Sequence, residues 1–233
     1  MDVETSAIRL DIVDGPVDDV TAVVHRPTRH LAPAVLLTHG AGGTLESAGL
    51  VAMAQTLAAA GHTVVRANLP HVEAGRRTPP RAERATGWIR SMLASARAQT
   101  GCRRWVVAGK SYGGRVASLA AAEPAGLDVA GLVFYGYPLH APGRTDRLRA
   151  DHWPDLHAPT LFLQGTNDPF CDLDLLRANV DRLPRRHTLE VVEGGDHGLR
   201  VTRRLAPDGV ASSEVATIER LAPTVVAWLR DLP

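Results

Sequence analysis

Three polar residues of this sequence, Ser111, Asp168 and His197, could together form a nucleophilic site. Ser111 is the centre of Gly-Lys-Ser-Tyr-Gly at residues 109–113, which fits the G-x-S-x-G pattern of a serine on a tight strand-to-helix turn. A serine hydroxyl is a weak nucleophile until a base takes its proton, and a histidine oriented by a carboxylate supplies such a base. The pentapeptide therefore predicts a nucleophile whose base and acid lie elsewhere in the chain.

The spacing within residues 109–113 follows from the geometry of such a turn. A side chain two positions before or after the serine would collide with the strand or the helix, so glycine occupies both places. The following helix points its positive end at Ser111 and favours developing negative charge. Two alternatives are an ordinary helix cap at Ser111 and a phosphate-binding loop. The phosphate-binding loop needs a glycine where Arg104 stands.

A second glycine-rich segment, His-Gly-Ala-Gly-Gly-Thr at residues 39–44, follows an apolar run. Backbone N–H groups in such a segment can approach a substrate oxygen without intervening side chains, so we predict an oxyanion hole formed by Ala41 and Tyr112. A flexible loop is the alternative, and a dinucleotide-binding loop would need glycine at position 45, which is leucine. His39 is interpreted as a structural residue that bonds neighbouring backbone.

Alternating strands and helices are needed to position these residues. The patterns predict strands at 5–13, 17–26, 33–38, 62–69, the run before Ser111, 129–135, 159–165 and 187–192, and helices at 46–60, 81–99, from Ser111 to Pro124, 171–183 and 212–231. This alternation predicts an α/β fold with a mostly parallel central sheet flanked by helices, built as one domain over residues 1–233. An antiparallel pair is expected at its start.

The candidate site residues share one edge of that predicted sheet. Ser111, Asp168 and His197 each follow a strand, and ligands of such sheets bind beyond the carboxyl ends of the strands. Other residues could fill two of the roles: Asp172 or Asp174 as the acid, and His140 or His187 as the base. Asp168 is preferred because it comes directly off its strand. His197 is preferred because it follows the last strand, where its loop can fold over Ser111.

The chain order of serine, aspartate and histidine is that of the α/β-hydrolases, and the sequence resembles one group of them. It looks like the predicted hydrolases similar to dienelactone hydrolase, near the testis-expressed members of that group. The matching stretches are HGAG at 39–42, GKSYGGR at 109–115, GYPL at 136–139, QGTNDPF at 164–170 and GDH at 195–197. The resemblance implies an α/β-hydrolase fold with a Ser-Asp-His triad and little or no lid. Dienelactone hydrolase uses cysteine as its nucleophile, so the serine here argues against that particular substrate.

These features together predict a serine hydrolase that cleaves small-molecule carboxylic esters or thioesters without a cofactor or metal. A formal net charge of +1 gives no electrostatic case for a nucleic-acid partner. No stretch of the sequence approaches the roughly 20 consecutive apolar residues needed to span a membrane. The first residues lack a signal-peptide pattern, so a cytoplasmic location is expected. The oligomeric state is left open, and a non-catalytic interaction protein on the same scaffold is the alternative function.

Two irregular segments are expected at the entrance to the site. Residues 138–158 are too few and too proline-rich for a lid domain, so we expect an open site without interfacial activation. The loop at 70–80 leaves the same sheet edge and carries Arg76 and Arg77. Either arginine could bind a substrate carboxylate through paired hydrogen bonds. The alternative is a solvated arginine pair.

Overall fold

Eight strands form one sheet in the part of the chain described here, residues 2–233 of a computed structural model. The strands are β1 (Val3–Asp11), β2 (Asp19–Pro27), β3 (Leu31–Thr38), β4 (His62–Ala67), β5 (Trp105–Lys110), β6 (Gly131–Tyr135), β7 (Thr160–Gly165) and β8 (His187–Val192). Their order across the sheet is β1-β2-β4-β3-β5-β6-β7-β8. The pairs β1–β2 and β2–β4 are antiparallel, and the six strands β3 to β8 pair in parallel. The mostly parallel sheet with an antiparallel start is therefore confirmed.

Residues 2–233 also contain six α-helices. They are α1 (Ala48–Ala59), α2 (Pro70–Glu73), α3 (Thr86–Thr100), α4 (Tyr112–Ala122), α5 (Leu173–Val180) and α6 (Glu214–Arg230), and 3₁₀ turns lie at Ala82–Arg84 and Trp153–Asp155. Within residues 2–233, no helix combines the length and apolar character that crossing a membrane requires.

Several helices begin or end at other residues than the sequence predicted, because single proline and glycine residues set the local backbone angles. The single turn α2 lies inside the expected loop at 70–80, because Pro70 supplies the fixed φ that suits a first helical position. The helix expected over 81–99 is divided, with a 3₁₀ turn at Ala82–Arg84 before α3 begins. Helix α3 ends at Thr100 because Gly101 adopts the left-handed conformation.

Two buried apolar layers enclose the sheet, one on each face. Successive strand residues point to opposite faces, so Val35 and Leu37 belong to one layer and Leu36 to the other. Helices α1 and α6 cover the first face, and α3 and α4 cover the second. Both faces are thereby closed. The loops at the carboxyl ends of β3, β5, β7 and β8 are left to form the site.

Candidate active site

Ser111 lies in a strained turn between β5 and α4. Its φ of 49° and ψ of −112° fall in a region of backbone angles that residues other than glycine rarely adopt. The Ser111 N–H donates a 2.9 Å hydrogen bond to the Tyr135 carbonyl, and the Ser111 carbonyl accepts one of 2.9 Å from the Arg115 N–H. These bonds to β6 and α4 hold the residue where its side chain can project from the sheet edge.

The glycines on either side of Ser111 have no room for a side chain. A Cβ atom on Gly109 would collide with the backbone of Gly114, where α4 crosses close to β5. A Cβ atom on Gly113 would lie 2.5 Å from Thr38 Oγ1 and 2.6 Å from the His39 carbonyl oxygen. The motif therefore has glycine in both places because helix and strand approach each other closely, as the sequence analysis expected.

The structure brings the three candidate residues of the nucleophilic site together. His197 Nε2 lies 2.8 Å from Ser111 Oγ, and His197 Nδ1 lies 2.8 Å from Asp168 Oδ2. The Asp168 side chain is completely buried, whereas the His197 ring is 24% exposed. A carboxylate at Nδ1 favours the tautomer with its proton there, which leaves Nε2 free to accept the serine proton.

Asp168 is oriented by Gln164, a residue that the sequence analysis did not single out. The Gln164 side-chain amide donates a 2.7 Å hydrogen bond to Asp168 Oδ2, and the Phe170 N–H donates one of 2.8 Å to Oδ1. Gln164 Oε1 in turn accepts the Tyr137 N–H at 2.9 Å. These donors compensate for the burial of the carboxylate. Gln164 could have been noticed in the sequence because it is a polar side chain in an otherwise apolar buried strand.

The alternative acids and bases are engaged elsewhere. Asp172 caps helix α5 by accepting the Asp174 N–H at 3.0 Å, and Asp174 itself is exposed at the surface. His140 Nε2 accepts the Asp172 N–H at 2.8 Å. His187 lies 3.8 Å from Asp181. Each of these side chains has a local role away from Ser111.

His39 fixes the loop that follows β3. Burial lowers the pKa of His39 to about 4, so the ring is neutral at physiological pH. Its Nε2 accepts the Leu69 N–H at 2.9 Å, which leaves Nδ1–H to donate to the Gly40 carbonyl at 2.7 Å. The carbonyl and the next N–H of a trans peptide point in opposite directions. The Ala41 N–H is therefore directed away from His39.

Ala41 and Tyr112, the predicted oxyanion-hole residues, both line the cavity that contains Ser111. Neither backbone N–H has an acceptor within residues 2–233. A second buried histidine, His71, was missed by the sequence analysis. It donates from Nε2 to the Ala41 carbonyl at 3.1 Å, and burial lowers its pKa. Two neutral histidines thus hold the backbone on either side of Ala41.

The cavity at Ser111 has a volume of about 550 Å³ and a charged wall. Phe170 packs on the His197 ring with 4.5 Å between the ring centroids. The charged side chains in the wall are Lys110, Glu214, Arg115 and Arg149. Lys110 Nζ lies 2.6 Å from Glu214 Oε1, which links the residue before Ser111 to the first residue of α6. In the described chain, no group of three or more His, Cys, Asp or Glu side chains could hold a metal ion.

Arg76 and Arg77 do not reach this cavity. Both are exposed, and neither lies in its wall. The chain turns outward after α2 because Gly75 adopts a left-handed φ of 68°, and the Arg76 N–H then bonds the His71 carbonyl at 2.8 Å. A substrate carboxylate bound by either arginine stays a prediction, and the lining of the cavity gives it no support.

Residues 32–228 match the sequence family described as the alpha/beta hydrolase domain. A lidless serine hydrolase from Xanthomonas campestris is similar in structure, with 23% identity, a TM-score of 0.71, and coverage of 100% of this chain and 99% of that one. A dienelactone hydrolase from Anabaena variabilis gives 18% identity, a TM-score of 0.72, and 100% and 99% coverage. Est1E from Butyrivibrio proteoclasticus, with bound ferulic acid, gives 16% identity, a TM-score of 0.73, and 97% and 99% coverage.

These likenesses confirm the α/β-hydrolase fold that the sequence patterns predicted. The segment at 138–158, expected to be too short for a lid, contains one 3₁₀ turn, Trp153–Asp155. The family match extends over most of the chain. This protein therefore belongs to the alpha/beta hydrolase domain family.

Proposed function

We propose that this protein is a serine hydrolase that cleaves small-molecule carboxylic esters or thioesters. The proposal depends on one observation, the two 2.8 Å contacts that connect Ser111 Oγ through the His197 ring to the buried Asp168. Membership of the alpha/beta hydrolase domain family supports hydrolytic chemistry. The ester or thioester specificity is our inference from the kind of nucleophile and from the open cavity around it.

In the proposed acylation step, Ser111 Oγ attacks the substrate carbonyl while His197 Nε2 takes its proton. Asp168 stabilises the resulting imidazolium through the hydrogen bond at Nδ1. The carbonyl oxygen becomes an oxyanion, which accepts hydrogen bonds from the N–H groups of Ala41 and Tyr112. His197 then gives the proton to the leaving alcohol or thiol, and the acyl group stays on Ser111.

Deacylation repeats these steps with water as the nucleophile. Water enters the open cavity, His197 takes one of its protons, and the hydroxide adds to the acyl carbonyl. Collapse of this second tetrahedral intermediate releases the carboxylic acid and returns the proton from His197 to Ser111. Tyr112 is the first residue of α4, so the positive end of that helix adds to the stabilisation of both oxyanions.

A fluorophosphonate probe tests this proposal directly, because it reacts with an activated serine and not with an ordinary surface hydroxyl. We expect one label per chain, located on Ser111 by peptide mass spectrometry. Ser111→Ala is the matched control and should not be labelled. A folded protein that is not labelled, and that hydrolyses neither p-nitrophenyl butyrate nor a butyryl thioester, would instead support a non-catalytic interaction protein.

A further inference from the structure

Two arginines, Arg115 and Arg149, lie in the wall of the cavity beside Ser111. Arg115 extends from α4, four residues after Ser111, and Arg149 comes from the irregular segment after β6. Their charges are not balanced by acids in the wall. Glu214, the acid that lines the cavity, pairs with Lys110 at 2.6 Å.

Arg115 pairs with a carboxylate, that of Glu83. Glu83 Oε1 lies 2.5 Å from an Arg115 Nη atom, and the Glu83 side chain is 54% exposed. Arg149 has no carboxylate within salt-bridge distance in the described chain, and its guanidinium makes a long 3.4 Å contact to the Pro138 carbonyl. A partly buried guanidinium therefore faces the cavity with most of its donors available.

Partly buried hydrogen bonds fix the backbone that carries these two arginines. The Arg149 carbonyl accepts the Tyr137 hydroxyl at 3.0 Å, and the Arg115 carbonyl accepts the Ser118 hydroxyl at 2.8 Å. His152 Nε2 lies 2.9 Å from the same Ser118 oxygen. The Arg115 guanidinium itself lies 3.5 Å from the Arg149 carbonyl oxygen, so the two like charges lie near each other. The pKa of Arg149 is lowered, mainly because the side chain is partly buried and also because the positive charge of Arg115 lies nearby.

A second cavity of about 430 Å³ continues beyond the arginines. It shares Tyr112, Arg115 and Arg149 with the Ser111 cavity, and residues 79–83 form its other side, with Arg81 and the Glu83 carboxylate that pairs with Arg115. The arginine pair therefore lies between the reactive serine and additional space that is large enough for a substrate group.

We propose that Arg115 and Arg149 form an anion subsite for an ester that carries a carboxylate or phosphate on the group reaching this second cavity. The inference rests on the proposed function and specifies its substrate class. The planar guanidinium presents paired N–H donors that match two oxygens of such an anion. An anion there would also neutralise the facing charges. The role expected for Arg76 or Arg77 is thereby assigned to different arginines.

Matched esters test the subsite. The acyl-side set contains the p-nitrophenyl esters of pentanoate, glutarate and 4-phosphonobutanoate, which differ only in the end group and separate carboxylate from phosphate-like recognition. The alcohol-side set contains pentyl butyrate and the butyrate ester of 5-hydroxypentanoate, followed in a pH-stat. For each set, the measured quantity is the ratio of kcat/KM for the charged ester to kcat/KM for the neutral ester.

In at least one set we expect Arg149→Met and Arg115→Met to lower this ratio by about 10- to 100-fold, the usual effect of losing a hydrogen bond to a charged group. Arg149→Lys should retain part of the preference. Arg147→Met is the matched control, because Arg147 lies two residues away with a side chain 78% exposed and outside both cavities. Unchanged ratios for Arg149→Met in both sets would overturn the subsite and leave ester hydrolysis standing.

A binding measurement separates failure of the subsite from failure of the proposed function. Saturation-transfer NMR with glutarate is applied to Ser111→Ala and to the Ser111→Ala, Arg149→Met double variant, so that no chemistry by Ser111 is needed. We expect a signal with the first protein and a much weaker signal with the second. Equal signals, or no signal with either protein, would contradict the subsite even if no ester is hydrolysed.

Discussion

The side-chain amide of Gln164 donates to Asp168 Oδ2, the same oxygen that lies 2.8 Å from His197 Nδ1. Gln164 is therefore a positioning residue, since it orients the Asp168 carboxylate by this hydrogen bond and does not line the cavity. We expect Gln164→Leu to lower kcat for p-nitrophenyl butyrate by about tenfold, the value of one hydrogen bond, with little change in KM. Gln164→Met, which keeps a similar length and removes the donor without adding a charge, is the matched variant. Wild-type kcat in both variants would show that Gln164 has no part in positioning Asp168.

Ser111→Ala should reduce ester hydrolysis by about 10⁴- to 10⁶-fold while the protein stays folded. His197→Ala should cause a similar loss because the two residues act as a unit, and Asp168→Asn should cost somewhat less. Circular dichroism verifies folding, and turnover of p-nitrophenyl butyrate gives the rate. Asp172→Asn is the control. If it inactivated the enzyme while Asp168→Asn did not, the acid would be Asp172.

Ala41→Pro removes one N–H without adding a charge. We expect turnover to fall by about 10²- to 10³-fold, the usual result of losing one oxyanion donor. Gly42→Ala is a suitable control, because a Cβ atom at Gly42 would meet no neighbouring atom within 4 Å. A crystal structure of the Ala41→Pro variant verifies the loop. Equal losses in the two variants would point to a general disturbance of the loop.

Acid should destabilise the protein through two histidines, His39 and His152, whose surroundings disfavour the charged form. Burial lowers the pKa of both His39 and His152 from 6.5 to about 4. Between these values the unfolded chain binds protons that the folded chain does not, so the free energy of unfolding falls as the pH decreases from about 6.5 to about 4. Each histidine contributes a slope of at most about 1.4 kcal/mol per pH unit. Urea unfolding across this range measures the slope.

His152→Gln should reduce the slope of the unfolding free energy against pH by the contribution of one histidine, because glutamine does not bind a proton in this range. The same variant removes the contact to Ser118, so it should also lower stability at pH 7 by roughly 1 kcal/mol. Parallel stability curves for the wild type and His152→Gln between pH 6.5 and 4 would contradict the assignment of this proton uptake to His152.

Arg76→Ala and Arg77→Ala should leave the preference between neutral and charged esters unchanged. Both side chains are exposed and outside the cavity at Ser111, so water and salt screen their charges from a bound substrate. The pentanoate and glutarate esters provide the comparison. A selective rise in KM for the glutarate ester in either variant would restore the interpretation made from the sequence.

Much of the fold and the serine-histidine-aspartate arrangement could be predicted because each part has a local signature. Ser111 lies between glycines, and Asp168 and His197 directly follow strands, so the topology of a parallel sheet places them at one edge. Arg149 has no such signature. Its position depends on a buried network that joins residues distant in sequence, Tyr137 and Ser118 among them.

The loop that carries Arg76 and Arg77 also shows what the strand and helix pattern leaves open. The loop containing Arg76 does leave the sheet edge that carries Ser111, as expected. One helical turn at Pro70–Glu73 and the left-handed Gly75 then direct the chain toward solvent. Such a turn is decided by a few backbone angles, and the strand and helix pattern does not contain them.

The ion pair between Lys110 and Glu214 also determines when during synthesis the site can be completed. Lys110 adjoins the nucleophile, whereas Glu214 begins the last helix, which packs against α1 on the opposite side of the sheet from α4. A ribosome-bound chain that has exposed Ser111, Asp168 and His197 already contains α1 but still lacks Glu214 and helix α6, which completes this covering layer. The growing chain therefore carries all three reactive groups before α6 can complete the cavity around them.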